Sequence, residues 1–146
     1  MGTTFMKTII TSSFKETQKV GEDFARQLKG GEVLALYGDL GSGKTTFIQG
    51  LAAGLGIERP IISPTFIIMR TYNLKTQNSK VFYHIDLYRI NGEEDVQSLG
   101  LLELMGDKQN IVAIEWPDKI ENLLPENRIN IYFEYLEDDR REIRFG

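Results

Sequence analysis

Gly38-Asp39-Leu40-Gly41-Ser42-Gly43-Lys44-Thr45 is the stretch on which the reading of this chain turns. It fits the pattern G-x-x-x-x-G-K-[ST], and its residue types have a physical reason. Glycines let backbone N–H groups curl around phosphate oxygens without a Cβ in the way. The helix that follows adds positive potential at its N-terminus, the lysine reaches the β- and γ-phosphates, and the hydroxyl ligates Mg²⁺. At average residue frequencies chance yields the pattern in roughly one chain of this length in a hundred or fewer. Out of context it reads as a glycine-rich surface turn with a solvated lysine. The context decides against that reading. Val33 to Tyr37 (VLALY) precedes it as a short apolar run of buried-strand type, and Thr45 to Leu55 follows with helical spacing and Gly56 as its C-cap. The pattern therefore predicts a nucleotide-phosphate site between a strand and a helix.

Further out, Ser13-Phe14-Lys15-Glu16 is a capping box that opens a helix carrying Val20, Phe24, Ala25 and Leu28 on one face, stopped at Gly30-Gly31. Phe66 to Tyr72 is rich in strand formers, Leu74 to Lys80 is loop-like, and Val81 to Ile85 is another strand candidate. Glu93 to Met105 reads as a helix weakened by Gly100, Ile111 to Ile114 as a strand, and Ile120 to Leu124 as a short helix. The tail alternates through Ile129, Ile131 and Phe133, turns at Glu137-Asp138-Asp139 and resumes at Ile143 and Phe145, the pattern of a β-hairpin. Strands interleaved with helices predict an α/β, P-loop-type fold: a mainly parallel sheet covered on both faces, with an antiparallel edge from the C-terminal hairpin.

Two strand candidates end in an acid. Val81 to Ile85 leads into Asp86, and Ile111 to Ile114 into Glu115. Carboxylates at the C-terminal ends of strands lie where ligands bind in open α/β sheets, close to a Mg²⁺ held by Thr45. Taken singly, either acid is as readily a cap or a solvated group; together beside a P-loop they mark a metal site, unranked by sequence. In Ser63-Pro64-Thr65-Phe66 an ordinary turn set by Pro64 is the favoured reading over a γ-phosphate switch. His84, the one histidine, reads as a packed, hydrogen-bonded strand residue, since phosphoryl transfer on a P-loop needs no histidine. Trp116 reads as core, and the scattered arginines as mostly solvated.

Composition sets the limits. The chain has 146 residues, no cysteine, and 17 Lys+Arg against 21 Asp+Glu, a formal charge of −4. The length suits one domain over 1–146, and the absence of cysteine excludes disulfides, thiolate catalysis and Cys-built metal sites. The acidic balance argues against wrapping nucleic acid by charge alone. No run approaches the roughly 18 apolar residues of a membrane span. Met1 to Lys7 lacks the apolar stretch of a signal peptide, so a soluble cytoplasmic protein is expected.

Taken in order, Gly38 to Thr45, the SPTF of Ser63 to Phe66, H-x-D-x-Y-R at His84, Asp86, Tyr88 and Arg89, and EWP at Glu115 to Pro117 resemble the bacterial TsaE family, formerly YjeE. Thr11, Ser13, Glu16 and Thr17 and the closing hairpin extend the resemblance over nearly the whole chain; Ser42 departs from it, standing where many members have Ala. The resemblance implies a small Mg²⁺-dependent ATPase needed for threonylcarbamoyladenosine at position 37 of tRNAs that read codons starting with A. It implies docking on a TsaD–TsaB pair that carries out the transfer, with tRNA met only through that complex and no membrane partner. By position, Gly38, Asp39, Leu40, Gly41, Ser42, Gly43, Lys44, Thr45 and Thr46 would hold ATP. Lys44, Thr65, Asp86 and Glu115 would be catalytic, and Thr45, Asp86 and Glu115 would serve Mg²⁺. Trp116 would lie near the nucleotide, with Ser13, Thr17 and Arg141 toward its base or ribose.

Rivals are a small-molecule P-loop kinase, a GTPase and a module using nucleotide only as structural ligand. A kinase needs an Arg-bearing lid, and the one spare loop, Leu74 to Lys80, has no arginine. No N-K-x-D segment supports a GTPase. Asp86, Glu115 and Thr65 beside an intact P-loop speak against the module. Slow hydrolysis by the isolated chain is expected, because no arginine finger is evident in cis.

Overall fold

The computed structural model describes residues 7–58, 61, 69–75, 80–91, 96–97 and 99–146. The strands are β1 (Lys7–Thr11), β2 (Val33–Tyr37), β3 (Met69–Asn73), β4 (Val81–Asp86), β5 (Asn110–Glu115), β6 (Ile129–Tyr135) and β7 (Arg141–Phe145). The helices are α1 (Phe14–Ala25), α2 (Lys44–Gly54) and α3 (Leu101–Gly106), with a 3-10 segment over Pro117–Leu123. The strands form one mixed sheet in the order β1-β7-β6-β2-β5-β4-β3.

β2 runs through its middle, paired in parallel with β5 on one side and β6 on the other. Its uninterrupted apolar sequence follows from burial on both faces. Leu34 and Leu36 join Phe47, Ile48 and Leu51 of α2 in one cluster, with Phe82, Ile111 and Ala113 from the neighbouring strands. Val33 and Ala35 face the other way, with Val112, Ile114, Leu101 and Ile120. α1 and α2 thus cover one face, α3 and the 3-10 segment the other. α1 and α2 approach so closely that only glycine fits at the crossing. A Cβ on Gly50 would lie 1.9 Å from the Gln18 carbonyl oxygen, and one on Gly21 2.2 Å from that of Phe47.

The expected α/β architecture is present, with its parallel pairings gathered at the centre: β6, β2, β5 and β4 run the same way. Antiparallel strands flank both sides. The C-terminal hairpin forms, but its outer strand is not the edge. β7 is covered by β1, an element that sequence patterning does not signal, because its burial alternates poorly and its core contact is made at Thr11. Of the expected helix over Glu93 to Met105, α3 forms the last part, started at Gly100 with φ 68°; residues 93–95 and 98 lie outside the described residues. α1 begins as its cap predicts, Ser13 Oγ accepting from Glu16 N–H at 3.1 Å. The reciprocal bond shifts by one residue, Glu16 accepting from Ser12 N–H at 2.8 Å. α1 ends at Ala25, short of Gly30-Gly31. Among the described residues no helix is long and apolar enough to cross a membrane.

Candidate functional site

The site lies at the C-terminal ends of β2, β5 and β4, where three consecutive pieces of sequence converge. The first is the loop between β2 and α2. Gly38 has φ 150° and Gly43 φ 108°, both on the glycine side of backbone space. At Gly38 a Cβ would also meet the Phe133 carbonyl oxygen at 2.7 Å. The loop is therefore closed by backbone packing that larger residues would not permit. Ser42 is buried, and its Oγ has no hydrogen-bond partner among the described residues.

Lys44 opens α2. Its side chain is buried, its ammonium donating to the Gly38 carbonyl at 2.5 Å and lying 3.9 Å from the centre of the Trp116 ring. Burial pulls its pKa below the usual lysine value, partly opposed by the charges of Glu115 and Asp86. Trp116 reaches this position through a left-handed backbone, φ 62° and ψ 49°, between Glu115 and Pro117. Such a conformation in a bulky residue costs on the order of 1–3 kcal/mol. Tyr88 packs on the indole, ring centres 5.1 Å apart.

The second and third pieces are the acids ending β4 and β5. Asp86 and Glu115 are direct partners in the parallel register, and the period of two puts both on the α2 face with His84. Glu115 is 4% exposed. Its Oε2 is 2.6 Å from His84 Nε2, and both its oxygens are 3.4 Å from Thr45 Oγ1. Asp86 is half-buried and accepts the Tyr88 N–H at 3.0 Å. Desolvation raises its pKa, and the Glu115 charge adds to the rise against the Tyr88 hydrogen bond.

Arg141, first residue of β7, leans over the loop. Its Nε lies 3.7 Å from where a Cβ on Gly43 would stand, and its guanidinium is 4.5 Å from the Tyr135 ring centre. One cleft is lined by Leu40, Gly41, Gly43, Lys44, Thr45, Thr46, Glu115 and Arg141. Asp86 joins it through register with Glu115, and Trp116 through Lys44. Asp39 contributes a backbone turn, its carbonyl accepting Ser42 N–H. Ser13 and Thr17 do not line that cleft. The Ser13 hydroxyl caps α1, and Thr17 Oγ1 lies 2.7 Å from Thr11 Oγ1 in a buried contact. They lie near its rim, since Thr11 is the register partner of Arg141. Thr65, with the SPTF segment, lies outside the described residues.

His84 is the packed, hydrogen-bonded strand residue that the sequence suggests, but the pattern does not name Glu115 as its partner. The available signal was the two-residue step from His84 to Asp86, which fixes one face for both. The donor set of one hydroxyl and two carboxylates is hard oxygen. It suits Mg²⁺, which prefers one or two carboxylates and otherwise ligand phosphates and water. No cluster of three metal-binding acids or histidines occurs among the described residues.

Residues 11–143 match the family model described as threonylcarbamoyl adenosine biosynthesis protein TsaE. The chain is 43% identical over 131 residues to the tRNA threonylcarbamoyladenosine biosynthesis protein TsaE of Bacillus subtilis, spanning 90% of this chain and 79% of that protein. It is 36% identical over 134 residues to the protein of that name from Treponema pallidum, spanning 92% and 96% respectively. The crystal structure of Bacillus subtilis YdiB superposes with a TM-score of 0.80 at 34% identity, covering 99% of this chain and 87% of that one. With its P-loop, its paired strand-end acids and these relatives in agreement, the chain belongs to the TsaE family, in tRNA threonylcarbamoyladenosine biosynthesis.

Proposed function

We propose that the protein is an ATPase that binds Mg²⁺–ATP at the loop from Gly38 to Thr46 and hydrolyses it in a cytoplasmic complex with a TsaD–TsaB pair. One observation carries the reading: Thr45 Oγ1 stands 3.4 Å from both carboxylate oxygens of Glu115, with Asp86 beside it in register. The reading is supported by a loop of phosphate-binding pattern whose hydroxyl already faces the acid that ends the neighbouring strand.

Mg²⁺ held by Thr45, Asp86 and Glu115 would neutralise charge on the β- and γ-phosphates. The chain's own groups do the rest. Backbone N–H groups of the loop and the α2 N-terminus bind phosphate oxygens. Lys44 leaves the Gly38 carbonyl and the Trp116 ring to pair with phosphate, and regains as a charge partner what burial takes from its ammonium. Glu115, buried and restrained, orients a water and accepts its proton. Arg141 closes the cleft from the hairpin side, where base and ribose would lie. Thr65 would be the switch residue. The acidic chain leaves tRNA to the partner proteins, and its threonylcarbamoyl transfer to TsaD.

Phosphate release measured with and without the TsaD–TsaB pair tests this. Slow turnover alone and clear acceleration by the pair are expected; fast, pair-indifferent hydrolysis overturns partner dependence. Labelled γ-phosphate arriving on a small acceptor instead of water would make the protein a kinase.

A further inference from the structure

We propose that His84 is a positioning residue that holds Glu115 in the orientation facing Thr45, and that this restraint sets the reactivity of the site. The inference rests on the hydrolytic reading above and deepens it. His84 is wholly buried on β4, between the cross-strand positions of Arg70 on β3 and Ala113 on β5. Its Nε2 makes the shortest contact of the Glu115 carboxylate, 2.6 Å, against 3.4 Å for each oxygen to the Thr45 hydroxyl. A carboxylate only accepts, so Nε2 carries the hydrogen. The other ring nitrogen, Nδ1, is buried with no partner among the described residues. His84 thus acts as a fixed donor through Nε2.

Packing alone would not select this residue. An apolar side chain fits a strand interior without burying an unpartnered nitrogen, and residues whose polar atoms go unpaired in a core have another reason to be there. The reason is the alternative available to Glu115. Lys44 is a nearby cation in the same cleft, and its ammonium is held by Gly38 and Trp116. A Glu115 free to swing would pair with that ammonium and take it from the phosphates. The His84 bond draws the carboxylate toward β4 and keeps acid and lysine in separate tasks. Hydrogen-bond partners of metal-binding carboxylates are worth roughly 10–100-fold in affinity or activity.

The test compares His84→Gln, whose amide nitrogen reaches the place of Nε2, with His84→Leu, which fills the space without a donor. Hydrolysis is measured with the TsaD–TsaB pair, and folding by thermal melting. His84→Leu should lose roughly 10–100-fold in kcat with KM changed little, and His84→Gln should recover most of it. In a Glu115→Ala background His84→Leu should add nothing, because the two act as one unit. A readout independent of hydrolysis uses the fact that His84 is the one histidine. In tag-free protein NMR should show a hydrogen-bonded proton on Nε2, lost in Glu115→Ala. A Gln variant as inactive as the Leu variant at equal melting temperature overturns the proposal. So does a full His84→Leu loss in the Glu115→Ala background, or an Nε2 that carries no proton. Should hydrolysis be absent throughout, the NMR result still decides the contact by itself.

Discussion

The ends of β4 and β5 are the same in chain position and opposite in environment. Each closes an apolar strand with an acid, and Asp86 and Glu115 are register partners. Yet Glu115 is buried and gripped by His84 and Thr45, while Asp86 is half-buried, bonded through Oδ1 to one backbone N–H, with a raised pKa. The acid that is more enclosed is the one whose burial is compensated. The other carries a desolvation that its Tyr88 hydrogen bond only partly offsets, the condition of a group awaiting a cation.

The largest test of this contrast is turnover. Glu115→Ala should cost roughly 10²–10⁴-fold in kcat, the range of a positioned proton acceptor, with nucleotide affinity largely kept. Asp86→Asn should act through Mg²⁺, raising the concentration needed for half-maximal rate more than it lowers the rate at saturating metal. Equal rates in wild type and Glu115→Ala would remove Glu115 from the chemistry and break the comparison.

Stability should separate the same residues with opposite sign. Glu115→Ala removes a buried charge-assisted hydrogen bond and should destabilise by about 1.5–3 kcal/mol in denaturant titration. Asp86→Asn should raise the melting temperature at neutral pH. The sign follows from linkage. The folded pKa of Asp86 lies above its unfolded value, so the native state holds the proton longer, and its ionisation penalises folding as pH rises through that window. The advantage of the Asn variant should shrink below about pH 4, where the acid is protonated in both states. A constant advantage across pH would mean shape, not charge, is responsible.

A third strand end gives smaller effects. Tyr37, last in β2, donates to Glu121 at 2.6 Å, and burial with that partner pushes its pKa to about 12. The native state keeps this proton above pH 10, so the stability it confers is present below pH 10 and lost as pH rises through about 12. Tyr37→Phe should flatten that part of the stability profile relative to wild type. Smallest is Ser42→Ala. The Ser42 hydroxyl is buried without a partner, so its removal should leave melting unchanged or slightly raised; a clear loss would show an unseen partner.

Legibility in the sequence followed the range of the interactions. The P-loop was readable because its glycines answer to local backbone geometry, and VLALY because burial on both faces demands continuous apolar residues. Gly100 marks the start of α3 for an equally local reason, visible as a weakness in the pattern. β1 was not readable: its sequence barely alternates, and it exists by pairing with β7 at the far end of the chain. The same distance hid the partner of His84 and left Arg141 to the family resemblance. His84 gains its partner across 31 residues, and Arg141 reaches the loop only once the hairpin has folded beside β2.

The P-loop, the strands that carry acids, the fold class and the family are written in residues adjacent or periodic along the chain. Which acid is restrained, what restrains it, and which side chains share the cleft emerge with the folded sheet. Those depend on the register between β4 and β5 and on the closeness of β7 to the loop, and register is a property of strands meeting, carried by no single segment.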